Sequence, residues 1–150
     1  MKNEFRSPQH NGRQRTRHHP PIFGAWTEPD IIAQWMGPKG VDARVDTHDF
    51  RAGGLFRFVL EGGESEHVAR GTFLTIDPAR RLVFTWSWEE GVYANVETDI
   101  ETEIEVEFEV TGEGTMLTLT QRRFTSDEMR DDHNRGWTGG LDELADFLAS

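Results

Sequence analysis

From Ile100 to Val110 the chain alternates between two kinds of side chain. Ile100, Ile104, Val106, Phe108 and Val110 lie on one side, and Glu101, Glu103, Glu105, Glu107 and Glu109 on the other. A period of two marks a half-buried strand, because successive side chains point to opposite faces. Such a strand belongs to a sheet with one wet and one apolar face. The apolar face must be covered by another element.

More strands precede and follow it. VDARVDTHDF alternates weakly, and Gly53-Gly54 turns into LFRFVLE, with Phe56, Phe58 and Leu60 on one face. Gly62-Gly63 leads into EHVARGTFLTI, where Gly71 is a candidate bulge. RLVFTWSW puts Leu82, Phe84, Trp86 and Trp88 on one side, and TMLTLTQ turns Leu117 and Leu119 inward. Short turns between the six strands make them antiparallel neighbours.

The cover is the C-terminal segment. Met129, His133, Trp137, Leu141, Leu144 and Leu148 recur at three- or four-residue spacing, the stripe of an amphipathic helix. Thr125-x-x-Glu128 predicts its capping box. Gly136, Gly139 and Gly140 either allow a close approach, beside Trp137 above all, or break the helix near its middle. Before the sheet, PPIFGAWTEPDIIAQWM reads as two short helices divided at Pro29.

Residues 1–19 hold almost nothing apolar. Lys2, Arg6, Arg13, Arg15 and Arg17 face a single acid, Glu4, within a chain of net charge −11. This predicts a basic, disordered head on residues 1–19, dispensable for folding, and a folded domain over 20–150. The acidic body repels nucleic acid, so no nucleic-acid partner is expected. Cysteine is absent. No apolar run approaches the ~20 residues of a membrane span, and the N-terminus lacks an apolar signal region. The expectation is a cytoplasmic protein with no membrane partner.

AWTEPDIIAQWMGP, the Gly-Gly-x-Phe-x-Phe run at 53–58, RGTFLTIDPARRLVFTW and the late GW before LDELADFL together resemble the START-like, or SRPBCC, superfamily. Within it the chain is most similar to the branch named after the activator of heat-shock protein 90 ATPase, over roughly residues 20–149. The resemblance implies an α+β helix-grip fold: a curved antiparallel sheet of six or seven strands wrapped around a long C-terminal helix, with two short helices near the N-terminus. It also implies a cavity between sheet and helix. The superfamily holds lipid carriers, cyclases and co-chaperone domains, so the fold does not choose an activity. Members carry an apolar strand just before the first helix, where this chain has RQRTRHH. That strand is then absent, or polar and at an edge. Its absence would expose a sheet edge and invite a homodimer.

Residue types narrow the chemistry. His10, His18, His19, His48, His67 and His133 show no zinc-binding spacing, and the strand glutamates project in parallel rather than towards one ion. No nucleophile motif or phosphate-binding loop occurs, and Ser65, Glu66 and His67 are strand neighbours on opposite faces. No metal, cofactor or catalytic residue is expected. Aromatic side chains remain. Each ring alone is explained by the core. Together, Trp35, Phe56, Phe58, His67, Phe73, Trp86, Trp88, His133 and Trp137 form a candidate ligand-binding set, with Arg57 and Arg70 as further polar anchors. His133 lies on the apolar stripe, where a satisfied core histidine is the plainer reading.

The leading expectation is non-enzymatic binding of a small hydrophobic or aromatic molecule. A co-chaperone-like module, docking a basic protein partner through the acidic strand face, is the alternative. A cyclase- or hydrolase-like enzyme is the third. A cavity of ~300 Å³ or more would favour ligand binding, and a sealed core the interaction module. An enzyme would need a His–carboxylate pair converging on the cavity.

Overall fold

Alternating segments of this length pair with their neighbours along the chain. The computed structural model, which describes residues 2–8, 22–37, 40–62, 65–90, 101–111 and 114–149, shows the outcome. The elements run β1 (Lys2–Pro8), α1 (Ile22–Thr27), α2 (Pro29–Trp35), β2 (Asp42–His48), β3 (Leu55–Gly62), β4 (Ser65–Asp77), β5 (Arg81–Glu90), β6 (Thr102–Thr111), β7 (Gly114–Arg122) and α3 (Asp127–Ala149). The six strands β2 to β7 form the expected meander in one curved antiparallel sheet, ordered β1-β7-β6-β5-β4-β3-β2.

The seventh strand corrects the sequence reading. Lys2–Pro8 pairs antiparallel with β7, from Lys2 opposite Thr120 to Pro8 opposite Gly114. The predicted disorder therefore fails for residues 2–8, while 9–19 lie outside the described residues. A ladder is made by backbone N–H and C=O groups, so a segment without apolar alternation can still form a strand on an open neighbour. The missing first strand is the polar one at a sheet edge, and it covers the side of β7 that would otherwise stand open.

The core lies between the sheet and α3. Ile104, Val106 and Phe108 of β6 are buried with Leu117 and Leu119 of β7, while Val110, near the strand's end, is 83% exposed. On the other face the glutamates meet arginines. Arg81 donates to Glu105 at 2.5 Å, and Arg122 contacts Glu103 at 2.9 Å and Glu105 at 3.0 Å. The Arg81 hydrogen bond, aided by Arg122, holds the Glu105 carboxyl below its ordinary range. Part of the acidic strand face is thus neutralised within the sheet.

The helix α3 runs unbroken through its glycines and buries Met129, His133, Trp137, Gly140, Leu141, Leu144 and Leu148. Its start lies one residue from the expected box. The Ser126 hydroxyl, not that of Thr125, accepts the Met129 N–H at 3.1 Å. This satisfies one of the free N–H groups of the first turn, and Asp127 and Glu128 complement the helix dipole. The close approach to the sheet expected at Gly136 is not found: a Cβ at the buried Gly140 would meet the Gly37 nitrogen only at 3.9 Å, an ordinary contact. Gly136 has open space where a Cβ would stand. Gly71 is not itself a bulge. The β4–β5 register shifts on either side of it, between Val68 and Ala69 and between Phe73 and Thr75. A Cβ at Gly71 would fall 1.9 Å from the Thr85 carbonyl oxygen and 2.6 Å from the Phe56 ring. The glycine makes room for that ring.

Deleting residues 1–8 removes β1 and uncovers the β7 edge. We expect a stability loss of about 1–3 kcal/mol, the net of several ladder hydrogen bonds over the entropy of ordering them. A shift towards dimers or aggregates should accompany it. Urea melts and sedimentation of full and truncated chains measure both.

Candidate ligand-binding site

Rigid aromatic rings do not fill space as completely as branched aliphatic chains, and here they gather at one end of the core. Trp86 sits on β5 with Trp88 two residues on, their ring centres 5.5 Å apart. Trp137 reaches down from α3 to within 5.3 Å of Trp86 and stacks on Trp26 of α1 at 5.9 Å. Between them lies a cavity of about 150 Å³. Trp86, Trp88, Trp137, Leu60 and Met36 form its apolar walls. His133 and Asp132 are its polar neighbours, and Gly37 and Gly140 complete the wall where α3 passes the end of α2. Gly136 is both a lining residue and exposed, so it marks the mouth.

Hydrogen bonds fix two of the three indoles. Trp137 Nε1 donates to Gln121 Oε1 at 3.0 Å. Gln121 Nε2 donates to Thr102 Oγ1 at 2.8 Å, and that hydroxyl donates to the Trp86 carbonyl at 2.8 Å. Gln121 is fully buried and Thr102 nearly so, and the network satisfies polar groups that burial would otherwise penalise. Trp88 Nε1 donates to His133 Nε2 at 2.9 Å, while His133 Nδ1 lies 2.8 Å from the Met129 carbonyl. Nε2 must accept and Nδ1 donate, which sets the neutral Nδ1–H tautomer. Burial pushes the His133 pKa below its usual range, partly opposed by the Met129 hydrogen bond.

Of the nine residues singled out from sequence, Trp86, Trp88, His133 and Trp137 line the cavity. His67 stands beside it with its ring 6.0 Å from Trp88, edge to face. Trp35, Phe56, Phe58 and Phe73 lie deeper, in the packed core. Trp35 donates its indole N–H to the Ala25 carbonyl at 2.7 Å. Arg57 and Arg70 are not cavity anchors. They lie on the opposite face of the sheet, where Arg57 pairs with Glu89 at 2.5 Å and Asp46 at 2.9 Å. A depression of about 430 Å³ there involves Arg57, Arg70, Glu89 and Glu101. Its lining mixes these charged groups with Leu55 and Phe56, and Arg57 and Glu89 already hold each other. Sequence reasoning missed Met36, Leu60, Asp132 and the Gln121–Thr102 pair. The signal for that pair was present, since Gln121 continues the inward side of Leu117 and Leu119, and Thr102 that of Ile104.

Two outcomes follow. Trp137→Phe keeps most of the apolar contact but takes the indole N–H away from Gln121 Oε1. It should cost about 1–3 kcal/mol, the penalty of an unmatched buried polar group, measurable by urea melts. For His133, the folded pKa lies below the unfolded one, so the neutral form favours the fold. This contribution is complete above the unfolded value of about 6.5 and is lost as pH falls through the folded value. Melts between pH 8 and 5 should show wild type losing more stability on acidification than His133→Gln, whose amide can hold both neighbours without titrating.

Comparison with known proteins agrees with the fold. The chain superposes on protein CV1439 from Chromobacterium violaceum with a TM-score of 0.79 at 18% identity, covering 100% of this chain and 97% of that one. On the AHSA1 protein SPO3351 from Silicibacter pomeroyi the TM-score is 0.77 at 24% identity, with coverage of 99% and 96%. CalU16 from Micromonospora echinospora gives 0.62 at 26% identity, with coverage of 98% and 73%. No curated protein matches the chain. Among the described residues no helix is long and apolar enough to cross a membrane. The family described as activator of Hsp90 ATPase homolog 1-like protein matches residues 20–149, and with helix, sheet and strand order all in the helix-grip arrangement, this chain belongs to that family.

Proposed function

We propose that the chain binds a small hydrophobic or aromatic molecule in the cavity between β5 and α3. The observation that carries this reading is a dry-walled space where a stability-driven core would be filled: three tryptophans, Leu60 and Met36 surround it, and its mouth lies at a glycine. The volume is about 150 Å³, half of the ~300 Å³ that the sequence reading set as favouring ligand binding, so a drug-sized guest is not supported. A space of about 150 Å³ has room for a benzene-sized guest, and here it opens to solvent at Gly136. The expected occupant is therefore one ring with a short substituent, or the ring end of a longer molecule whose remainder leaves past Gly136. Such a guest gains contact with rigid ring faces without disturbing the core.

A panel of single-ring and two-ring aromatics, titrated while following tryptophan emission, tests this. Saturable quenching or a shift is expected, with a Kd of about 10 μM to 1 mM, or ~4–7 kcal/mol for so few atoms. Trp88→Phe should weaken the response. A flat response to every compound would remove the binding reading. It would leave a protein-interaction module, as the family's description suggests, as the better account.

A further inference from the structure

The helix α3 presents one flank to the cavity. Asp132, Gly136 and Gly140 stand four residues apart on one line along the helix, with His133 and Trp137 on the next line, and all five line the space. A side chain at position 136 would stand on that flank, between Asp132 and Gly140. Gly136 is exposed, and a Cβ built on it meets nothing within 4 Å. No packing contact therefore requires a glycine there. Glycine is disfavoured in a helix interior, so alanine at this position would strengthen α3, and a longer residue would also close the space off from water.

A guest held wholly inside would gain from such a closure, because its outer side would be covered as well. An open position suits a guest that is not wholly inside. The space of about 150 Å³ has room for one ring. We propose that the ligand is a single ring bearing a flexible chain, with the ring among Trp86, Trp88 and Trp137 and the chain leaving across Gly136. This rests on the binding reading above and decides the class of ligand for it. Gly136 is then the residue that sets specificity, since it admits a chain that a side chain at the same position would obstruct.

Benzyl alcohol and 5-phenylpentan-1-ol share the ring, end in a hydroxyl that can stay in water, and differ only in the length of the chain. Each is titrated into wild type, Gly136→Ala and Gly136→Leu, followed by tryptophan emission and by the backbone amide resonances of the 15N-labelled proteins. Wild type should prefer the longer compound by about tenfold, because a partly covered chain gains a fraction of its full burial energy. That compound should also shift the Gly136 amide further than benzyl alcohol does. In Gly136→Leu the preference should fall to about twofold or less, as the added side chain takes the chain's place, and Gly136→Ala should lie between. Gly136→Ala should also melt about 2–4 °C higher, which separates a blocked mouth from a damaged fold. A preference that is absent from wild type, or unchanged in Gly136→Leu, overturns the chain assignment and leaves ring binding intact. Failure of both compounds to bind wild type overturns the binding reading as well. If Gly136→Leu does not fold, Gly136→Ala and the wild-type amide shift decide the question.

Discussion

A line of three hydrogen bonds through the apolar interior fixes how α3 lies on the sheet. It runs from Trp137 Nε1 to Gln121 Oε1, from Gln121 Nε2 to Thr102 Oγ1, and from Thr102 to the Trp86 carbonyl. Apolar burial holds the helix down but is non-directional, so alone it tolerates many rotations and slides. Hydrogen bonds inside a low-dielectric core are directional, and breaking one strands a buried group. Trp137 closes the cavity from the helix side and Trp86 from the sheet side, so the same network that positions the helix also sets the distance between the walls.

The cavity itself follows from rigid rings and absent side chains. Trp86 meets Trp88 and Trp137 at steep angles, 86° and 61°, the edge-to-face geometry that aromatic quadrupoles prefer. Flat bodies arranged this way leave a gap at their corner. Gly140 is buried against the Gly37 backbone and Gly136 has open space beside it, so α3 offers nothing to plug that gap. A core optimised only for density would put a leucine there. The helix also keeps three glycines, each worth about 1 kcal/mol against alanine in a helix interior. Gly136 and Gly140 line the cavity, and neither is required by a close contact of the helix.

Much of this was legible in the sequence because periodicity is a local property. The Ile–Glu alternation of β6 and the stripe of α3 state their faces directly; the stripe is buried from Met129 to Leu148, and the alternation is followed from Ile104 to Phe108, with Val110 exposed and Ile100 outside the described residues. Strand β1 was not legible, since it depends on the open edge of β7 far along the chain and not on its own side chains. Gln121 and Thr102 were legible in principle. They stand at inward positions of strands whose other inward residues are leucine, isoleucine and valine. Polar residues near strand ends look like the approach of a turn, which hides a buried pair that finds its partner only across the sheet. Arg57 shows the reverse error. Its place between Phe56 and Phe58 already put it on the other face, and the appeal of a charged anchor outweighed the period.

If the cavity holds a guest as proposed, its polar groups serve to position the walls. An enzyme here would need a histidine nitrogen free to move a proton, oriented by a carboxylate. His133 is the histidine on the wall, and both its nitrogens are engaged, Nδ1 with the Met129 carbonyl and Nε2 with the Trp88 indole. Proton uptake at Nε2 would break the bond that positions Trp88, and burial already disfavours the charged form. Asp132 precedes it on the helix and pairs with Arg135. His133 thus works as a fixed acceptor that turns the Trp88 ring into the wall. With that indole held by the helix and Trp137 held by Gln121, these two walls of the cavity are preformed, so a guest bound as proposed would lose little to the ordering of side chains.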